Sequence, residues 1–197
     1  WEDRSLFRAG LISGEQAVLD APSGESVYHI DLRIADDKTR VQGKQEVLYT
    51  NREAAPFGEV VFRLFPNLSG GSTAVTNLTV NGQPVEARYE QKNSAMIVPL
   101  SEPLAPGQQA VFAMDFDVTV PTDESSNYGT FAYLRDVLAL AHFYPMIAVY
   151  DQQGWNDEIA PQEGDIIYND ASLYLVRVNA PEELAIVSSG IALDRQE

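Results

Sequence analysis

The chain is 197 residues long and 45% hydrophobic, which is enough to bury the core of one domain. Its 29 Asp and Glu residues outnumber its 13 Lys and Arg residues, and the formal charge of -16 disfavours binding to nucleic acid and to anionic membranes. The absence of cysteine excludes disulfides, thiolate metal ligands and a cysteine nucleophile.

The first strand signal follows a lead-in of about 25 residues, which is expected to be extended. Residues 28–34 alternate apolar and polar side chains, the period of a half-buried strand. A second alternating run, Arg40 to Asn51, comes after the turn-like residues 36–38. The two runs predict an antiparallel hairpin, and Gly43 inside the second run predicts a β-bulge.

Further short strands are predicted at regular intervals through the middle of the chain. Asn81-Gly82 tolerates the positive φ angles of a type I′ turn and predicts a tight hairpin. The longest run, Gln109 to Val120, alternates apolar and polar residues and predicts a strand of a sheet with one solvated face. The other predicted strands are Glu59–Phe65, Thr73–Val80, Val85–Glu90 and Ala95–Leu100.

Loops and shorter strands alternate in the last third of the chain. Residues 121–129 and 151–170 are polar and irregular, which predicts loops. Residues 131–148 are more uniformly apolar and fit either a buried strand pair or one short helix. Strands are predicted again at 172–180 and 184–188. Since no sustained amphipathic helix occurs, we predict an all-β fold, either a β-sandwich or an open, barrel-like set of mostly antiparallel sheets.

The residues offer no catalytic motif. His29 and His142 are the only histidines, they lie in separate segments, and neither belongs to a His-Glu-x-x-His zinc motif. No Gly-x-Ser-x-Gly elbow occurs. We therefore predict no catalytic, cofactor-binding or metal-binding residue in this chain. His29 is interpreted as a surface histidine, whereas His142, in an apolar run, fits either a buried imidazole hydrogen-bonded to the backbone or a substrate-cleft residue.

Acidic residues supply two weaker hypotheses. The pairs Asp115 with Asp117 and Asp157 with Glu158 have the residue types of glycosidase acids, but such pairs are expected on any solvated face of so acidic a chain. A group of loop residues offers oxygen ligands for calcium but fits no EF-hand spacing. This group is Asp157, Glu158, Glu163, Asp165, Asn169 and Asp170.

Three stretches occur in an order that resembles a known family. They are Tyr28–Leu32 followed by Gly43 and Tyr49–Asn51, then Val61–Asn67, then Phe143–Pro145 with Tyr150, Asp151 and Trp155. Over residues 28–190 this order is similar to the N-terminal domain of the aminopeptidase N and leukotriene hydrolase family of zinc metallopeptidases, in its bacterial peptidase-like branch. The resemblance implies a saddle of mostly antiparallel strands packed against a thermolysin-like catalytic domain.

The motifs of that catalytic domain, Gly-x-Met-Glu-Asn and His-Glu-x-x-His, are absent from this sequence. The resemblance therefore implies that residues 1–197 are a single N-terminal β domain, non-catalytic by itself, with zinc and peptidase chemistry in a domain C-terminal to it. The implied partners are that catalytic domain and a peptide substrate. Apolar residues expected to be exposed and to dock the catalytic domain are Phe143, Tyr144, Met146 and Ile147.

The resemblance also implies one substrate-binding position. The family has a Gln or Glu that grips the α-amino group of the substrate about nine residues before a Phe-Pro or Tyr-Pro step. Counting back from Pro145 gives Asp136, so the family's residue type is missing, which puts aminopeptidase specificity in doubt. An Asp can bind an ammonium group, but an exposed Asp136 paired with Arg135 or solvent is the alternative. Asp136 and His142 are the candidate substrate-binding residues.

Two functions remain open at this point. The first is the scaffold and substrate-cleft domain of a zinc metallopeptidase; the second is a self-standing extracellular β-sandwich module that grips a peptide or glycan with aromatic loop residues. Those aromatic residues are Tyr128, Phe131, Tyr150 and Trp155. Both functions imply an extracellular or cell-envelope location. No apolar run approaches the roughly 18 residues that a membrane span needs.

Overall fold

The computed structural model describes residues 1, 3–20, 24–123, 128–159 and 167–196. Strands dominate this part of the chain, and helix is limited to the single turn α1 (Ser5–Arg8) and the 3₁₀ turns Gln16–Leu19 and Phe65–Leu68. The strands are β1 (Val27–Ile34), β2 (Arg40–Thr50), β3 (Phe57–Arg63), β4 (Ser72–Val80), β5 (Gln83–Pro84), β6 (Arg88–Glu90), β7 (Ala95–Leu104), β8 (Gln109–Thr119), β9 (Phe131–Leu134), β10 (Val137–Leu140), β11 (Met146–Ile147), β12 (Tyr150–Asp151), β13 (Gly154–Trp155) and β14 (Leu173–Asn179).

The lead-in differs from the extended segment that was expected, because it contains two helical turns. The backbone N–H of Ser5 donates to Oδ1 of Asp3 at 2.9 Å, which satisfies a free donor at the start of α1. Leu19, at the end of the second turn, is buried against the rest of the chain. In the described residues, no helix is long and apolar enough to cross a membrane.

The larger sheet contains six strands in the order β14-β1-β2-β8-β4-β5. The predicted hairpin of β1 and β2 is confirmed, with a continuous antiparallel register from Val27 opposite Leu48 to Ile34 opposite Val41. Burial alternates along β2 and β8 with a period of two, as the sequence pattern predicts. The exception to antiparallel pairing within this sheet is β14, which lies parallel to β1.

The smaller sheet contains four strands in the order β11-β3-β7-β6, and the main core lies between it and the larger sheet. Phe62 on β3 meets Phe112 on β8 edge to face, with ring centroids 5.4 Å apart. Each fully buried apolar side chain of this size contributes about 1.5–3 kcal/mol to the stability of the fold. Within the described ranges the sheets do not close into a barrel, so the prediction of an all-β fold of open, mostly antiparallel sheets is confirmed.

Gly43 does not form the predicted bulge. Its pairing is regular on both sides, with Leu32 on β1 and with Phe116 on β8. A Cβ atom at this position would overlap the aromatic ring of Phe116. The glycine is therefore explained by the close approach of a ring to the backbone, the other common reason for glycine inside a strand.

Two strand predictions need correction. Only residues 88–90 of the predicted strand 85–90 form a strand, which is β6 of the smaller sheet, whereas residues 85–87 connect it to β5 of the larger sheet. Residues 184–188 form no strand, because no strand of the described chain pairs with them. The type I′ turn is confirmed: Asn81 and Gly82 have φ angles of 50° and 77°, and Val80 lies opposite Gln83.

The ambiguous segment 131–148 is a strand pair rather than a helix. Strands β9 and β10 form a separate two-stranded antiparallel ladder, and β11 joins the smaller sheet beside β3. This arrangement places the two candidate residues of the segment in different settings. Asp136 lies in the turn between β9 and β10, and His142 lies in the connection that leads to β11.

Candidate functional site

Asp136 occupies the tip of the β9–β10 hairpin. Arg135 and Asp136 have φ angles of 51° and 64°, the left-handed conformation that a two-residue type I′ turn requires at both positions. The Asp136 side chain is exposed, and the hydroxyl of Tyr133 donates to its Oδ1 at 3.3 Å. This carboxylate has solvent access and, from the described part of the chain, a single long hydrogen bond, so it retains capacity to accept hydrogen bonds from a cationic group.

His142 is half-buried beside the end of this hairpin. Its φ angle is 52°, and its imidazole meets the ring of Phe65 edge to face at 6.1 Å. Burial lowers the pKa of His142 below its ordinary value, so the neutral imidazole is favoured. No described residue forms a hydrogen bond with the imidazole, and none bridges it to Asp136. The expected backbone-bonded imidazole is therefore not found, and a substrate-cleft role for His142 stays a prediction.

Arg63 is the charged residue that sequence analysis missed. It is buried on β3, its Nη1 donates to the backbone oxygen of Asn156 at 2.7 Å, and its Nη2 donates to that of Glu158 at 2.8 Å. Its guanidinium also lies 5.0 Å from the centre of the Phe65 ring, the same ring that His142 contacts. We call Arg63 and these two carbonyl groups the Arg63 clamp. A single cation inside the apolar run Val60–Phe65 was the signal that could have identified it.

The electrostatic setting of Arg63 is unusual for a buried cation. Burial lowers the pKa of its guanidinium, while the nearby carboxylates of Asp157 and Glu158 act in the opposite direction. Its Nε has no hydrogen-bond partner among the residues that the structure describes. Backbone carbonyl groups and a ring face, rather than a directly bonded carboxylate, therefore stabilise this charge.

Three tyrosines form a second polar cluster, the tyrosine cluster, between β1, β14 and the segment before β11. Tyr28 and Tyr174 stack with ring centroids 4.9 Å apart, and Tyr144 meets both rings edge to face. The hydroxyl of Tyr28 accepts a hydrogen bond from the backbone N–H of Ile147 at 3.0 Å. Burial raises the pKa of Tyr28 and of Tyr144, so these phenols remain protonated.

A small cavity adjoins the tyrosine cluster, and the ion pair of Arg52 with Asp170 at 3.2 Å lies among its lining residues. Its volume of about 20 Å³ is enough for about one water molecule and far below the several hundred Å³ of a typical organic-ligand site. The cavity therefore cannot hold a peptide or a sugar in this conformation.

The aromatic residues proposed to grip a peptide or glycan are not arranged for that purpose. Phe131 is buried in the core, whereas Tyr128 is 80% exposed. Tyr150 and Trp155 pack on each other and on Phe57, with ring centroids 4.6–5.2 Å apart. Of these four described rings, Tyr128 alone is exposed, so the structure gives no common exposed aromatic surface for them.

The expected docking face around Phe143 also needs correction. Met146 and Ile147 are buried, because β11 completes the edge of the smaller sheet beside β3. Phe143 and Tyr144 are partly buried and pack against the core. These side chains therefore stabilise this domain itself and do not form an exposed apolar surface.

The described residues contain no group of three or more His, Cys, Asp or Glu side chains that could hold a metal ion. His29 is half-buried and stacks on the ring of Trp1, with centroids 4.4 Å apart. Asp115 binds Asn77, and Asp117 binds Arg40. Glu163 and Asp165 of the calcium hypothesis lie outside the described residues.

The sequence matches no protein-family model and no curated protein. The fold, however, matches solved structures. One is the M1 zinc metallopeptidase from Deinococcus radiodurans, with a TM-score of 0.55 and 18% identity over 88% of this chain and 36% of that chain. A mutant of that enzyme bound to a Tyr-Ser-Ala substrate gives a TM-score of 0.55 and 17% identity over 89% of this chain and 37% of that chain. A two-domain M1 zinc metallopeptidase mutant bound to L-arginine gives a TM-score of 0.55 and 18% identity over 88% of this chain and 36% of that chain.

At 17–18% identity, this likeness establishes the fold alone: the chain has the fold of the N-terminal domain of M1 metallopeptidases. It confirms the fold expected from the order of the three sequence stretches. The chain spans only about 37% of the length of the peptidases that it matches.

Proposed function

We propose that this chain is the non-catalytic N-terminal scaffold and substrate-cleft domain of a zinc-dependent, aminopeptidase-like metallopeptidase whose catalytic domain lies C-terminal to it. The observation that carries the proposal is the asymmetric match in fold, which covers 89% of this chain but 37% of a solved M1 zinc metallopeptidase. A domain that corresponds to one part of a larger enzyme is expected to supply part of its architecture and to leave the chemistry to the rest.

The proposal assigns zinc to the catalytic domain. In the described residues of this chain, the two histidines lie far apart in sequence and belong to no metal-binding group. A peptidase zinc needs about three protein ligands held together on a rigid scaffold, with an open position for water. Zinc bound in the catalytic domain would supply the activated water for peptide hydrolysis.

The proposal also assigns Asp136 and His142 to substrate binding. Asp136 supports this role because its exposed carboxylate projects from a hairpin tip and keeps hydrogen-bonding capacity beyond its contact with Tyr133. A charge-assisted hydrogen bond to the α-amino group of a peptide is the interaction that such a carboxylate can form. His142 supports it because its imidazole is only half-buried and is kept neutral, so it can donate or accept a hydrogen bond.

The alternative function, a self-standing module that binds a peptide or glycan, loses its support because its four aromatic residues do not share an exposed surface.

We further propose that the protein is secreted or located in the cell envelope of a bacterium. Fractionation of the source cells tests this location, and an exclusively cytoplasmic protein would contradict it.

The experiment that tests the proposed function is a side-by-side measurement of zinc content and of turnover of chromogenic amino-acid amides. The 197-residue chain and the full-length protein are compared at equal concentration. We expect about one zinc ion per molecule and measurable turnover for the full-length protein only. Stoichiometric zinc or turnover in the 197-residue chain alone, or neither property in the full-length protein, would show that the proposal is wrong.

A variant of the full-length protein then tests the substrate-binding role. Asp136→Ala is expected to raise KM for substrates with a free α-amino group with little change for N-acetylated ones. Glu158→Ala is a suitable control, since Glu158 is also an exposed acid and its hydrogen bond with Arg63 is made by its backbone oxygen, which the substitution keeps. Equal KM values for Asp136→Ala and the unaltered protein would exclude Asp136 from the site.

A further inference from the structure

The outer edge of β14 is a long, regular and unpaired strand edge in the described part of the chain. There β14 pairs with β1 alone, and their register runs without a bulge from Val27 opposite Leu173 to Arg33 opposite Asn179. An edge of this kind presents a row of backbone donors and acceptors to which another strand can bind.

The pairing with β1 determines which backbone groups face outward. The N–H of Leu173 donates to the backbone oxygen of Ser26 at 2.9 Å, so Leu173 faces β1. In a parallel ladder the N–H and C=O of one residue point to the same side, and the side alternates from residue to residue. The backbone groups of Tyr174, Val176 and Val178 therefore point away from β1, toward the open edge.

On the side of β14 that continues the core face of β1, the exposed side chains are apolar, whereas the exposed Arg177 and Asn179 lie on the opposite face. Val176 lies opposite Ile30 and Val178 opposite Leu32, and both partners are buried on the core side of β1. Yet Val176 and Val178 are 44% and 37% exposed, so the core face of the larger sheet extends beyond the layer that covers it. More exposed apolar side chains follow along the chain, at Ile186, Val187, Ile191 and Leu193.

In the described residues, the edges at the β5 side of the larger sheet and at the β6 side of the smaller sheet are protected against strand pairing, unlike the β14 edge. At the opposite side of the same sheet, β4 has a register shift between Thr76 and Thr79, and the two-residue β5 ends in Pro84. In the smaller sheet, β6 has only three residues, two of them charged. Bulges, proline, charge and shortness are the usual means by which proteins prevent edge pairing. In contrast, β14 has seven residues, no proline and a single charge.

The charge of the molecule argues against a second copy as the occupant, because two chains of formal charge -16 would repel each other. We infer that the β14 edge, together with the apolar residues at 186–193, receives a β-strand from the part of the peptidase that follows this domain. This inference rests on the proposed function, and it places the docking surface for the catalytic domain at the β14 edge. The incoming strand hydrogen-bonds to residues 174, 176 and 178 and covers the two exposed valines with apolar side chains.

Residue-resolved amide hydrogen exchange on the full-length protein tests the inference directly. We expect the N–H groups of Val176 and Val178 to exchange slowly, within about tenfold of Val118 in the interior strand β8. Exchange of these two amides at the rate of an unprotected peptide, in a protein that binds zinc and turns over substrate, would overturn the docking site but leave the proposed function intact. A full-length protein without zinc and turnover would instead overturn both.

A matched pair of variants isolates the hydrogen bond to the edge. Val176→Pro removes only an N–H that points away from β1, and edge strands tolerate proline at such positions. Val176→Thr keeps this N–H and the β-branched shape. We expect Val176→Pro to speed exchange at Val178 at least tenfold in the full-length protein, with less than a twofold change for Val176→Thr. Equal rates in the two variants would contradict the inference.

A third variant guards against misfolding of the proline variant. Val187 is 94% exposed, so Val187→Lys leaves the packing of this domain unchanged. In the full-length protein a buried lysine at the interface would weaken docking, and the exchange of Val178 would accelerate in this variant also. An unchanged rate would show that residue 187 lies outside the docking surface.

Discussion

Phe116 fills the space that a side chain at position 43 would otherwise occupy. Phe116 is 3% exposed, and the ring lies directly against the backbone of β2 at Gly43. A protein interior is too densely packed to absorb an added methyl group at such a position without moving a neighbour. The contact therefore couples the identity of one residue on β2 to the position of one ring on β8.

Gly43→Ala is expected to lower the free energy of unfolding by about 1–3 kcal/mol, because the new Cβ displaces the Phe116 ring. Urea denaturation followed by circular dichroism measures this change. Gly58→Ala is the matched control, since no atom lies within 4 Å of a Cβ at that strand position, and its effect should stay within about 0.5 kcal/mol. Adding Phe116→Leu should recover part of the loss, and a purely additive double mutant would contradict the ring contact as the cause.

His142 is expected to make stability depend on pH. Burial lowers its pKa in the folded protein below the ordinary value of 6.5, so the unfolded chain binds the proton more readily. The contribution of neutral His142 to the free energy of unfolding is complete above about pH 6.5. It is lost as the pH falls through the lowered pKa that His142 has in the folded protein. His142→Asn, which tolerates the positive φ angle, should lose less stability between pH 7 and pH 5 than the unaltered chain does in urea denaturation. Parallel pH profiles would rule out this role for His142.

At the scale of elements, the Arg63 clamp connects β3 to the segment that follows β13. The guanidinium bonds two carbonyl groups at positions 156 and 158 from different nitrogen atoms, a geometry that the single ammonium of lysine cannot reproduce. The N–H of Asn156 also donates to the backbone oxygen of Val149 at 2.8 Å. One buried side chain therefore contributes, together with this backbone hydrogen bond, to the order of the segment.

Arg63→Met is expected to lower the free energy of unfolding by about 1–3 kcal/mol, since it removes two charge-assisted hydrogen bonds. Limited proteolysis should also cut faster near residues 156–158, and Arg63→Lys should rescue neither effect. Arg88→Met is the control, because the exposed ion pair of Arg88 with Glu59 is worth about 0–1 kcal/mol. Arg63 and Arg88 variants of equal stability would show that the clamp is not structural.

The elements that the sequence predicted correctly are those whose signal is local. The alternating residues of β1, β2 and β8 and the Asn81-Gly82 turn each determine their own conformation, and all are confirmed. Errors occurred where the outcome depends on a distant partner. Residues 184–188 have the composition of a strand but no pairing strand in the described chain, and only residues 88–90 of the predicted strand 85–90 find a partner, β7.

At the scale of the whole molecule, the fold could be predicted from the order of three sequence stretches, but the candidate site only in part. Asp136 was identified by its position relative to Pro145 and His142 by its place in an apolar run, and their role in substrate binding stays a prediction. Arg63 was missed because its partners are backbone oxygens 93 and 95 residues away, which leave no side-chain pattern in the sequence. The apolar residues at 143–147 were assigned to the surface because sequence hydrophobicity does not distinguish a docking face from a core.

The parallel pairing of β1 with β14 has a consequence for biosynthesis. Residue 27 lies opposite residue 173, so one side of β1 has no partner until almost the whole domain has left the ribosome. At about 5–20 residues per second, this strand waits roughly 7–30 s for its neighbour. During that interval a nascent chain exposes an apolar strand that other unfinished chains can bind. We therefore expect aggregation during synthesis, rather than denaturation of the finished protein, to limit the yield when expression is fast.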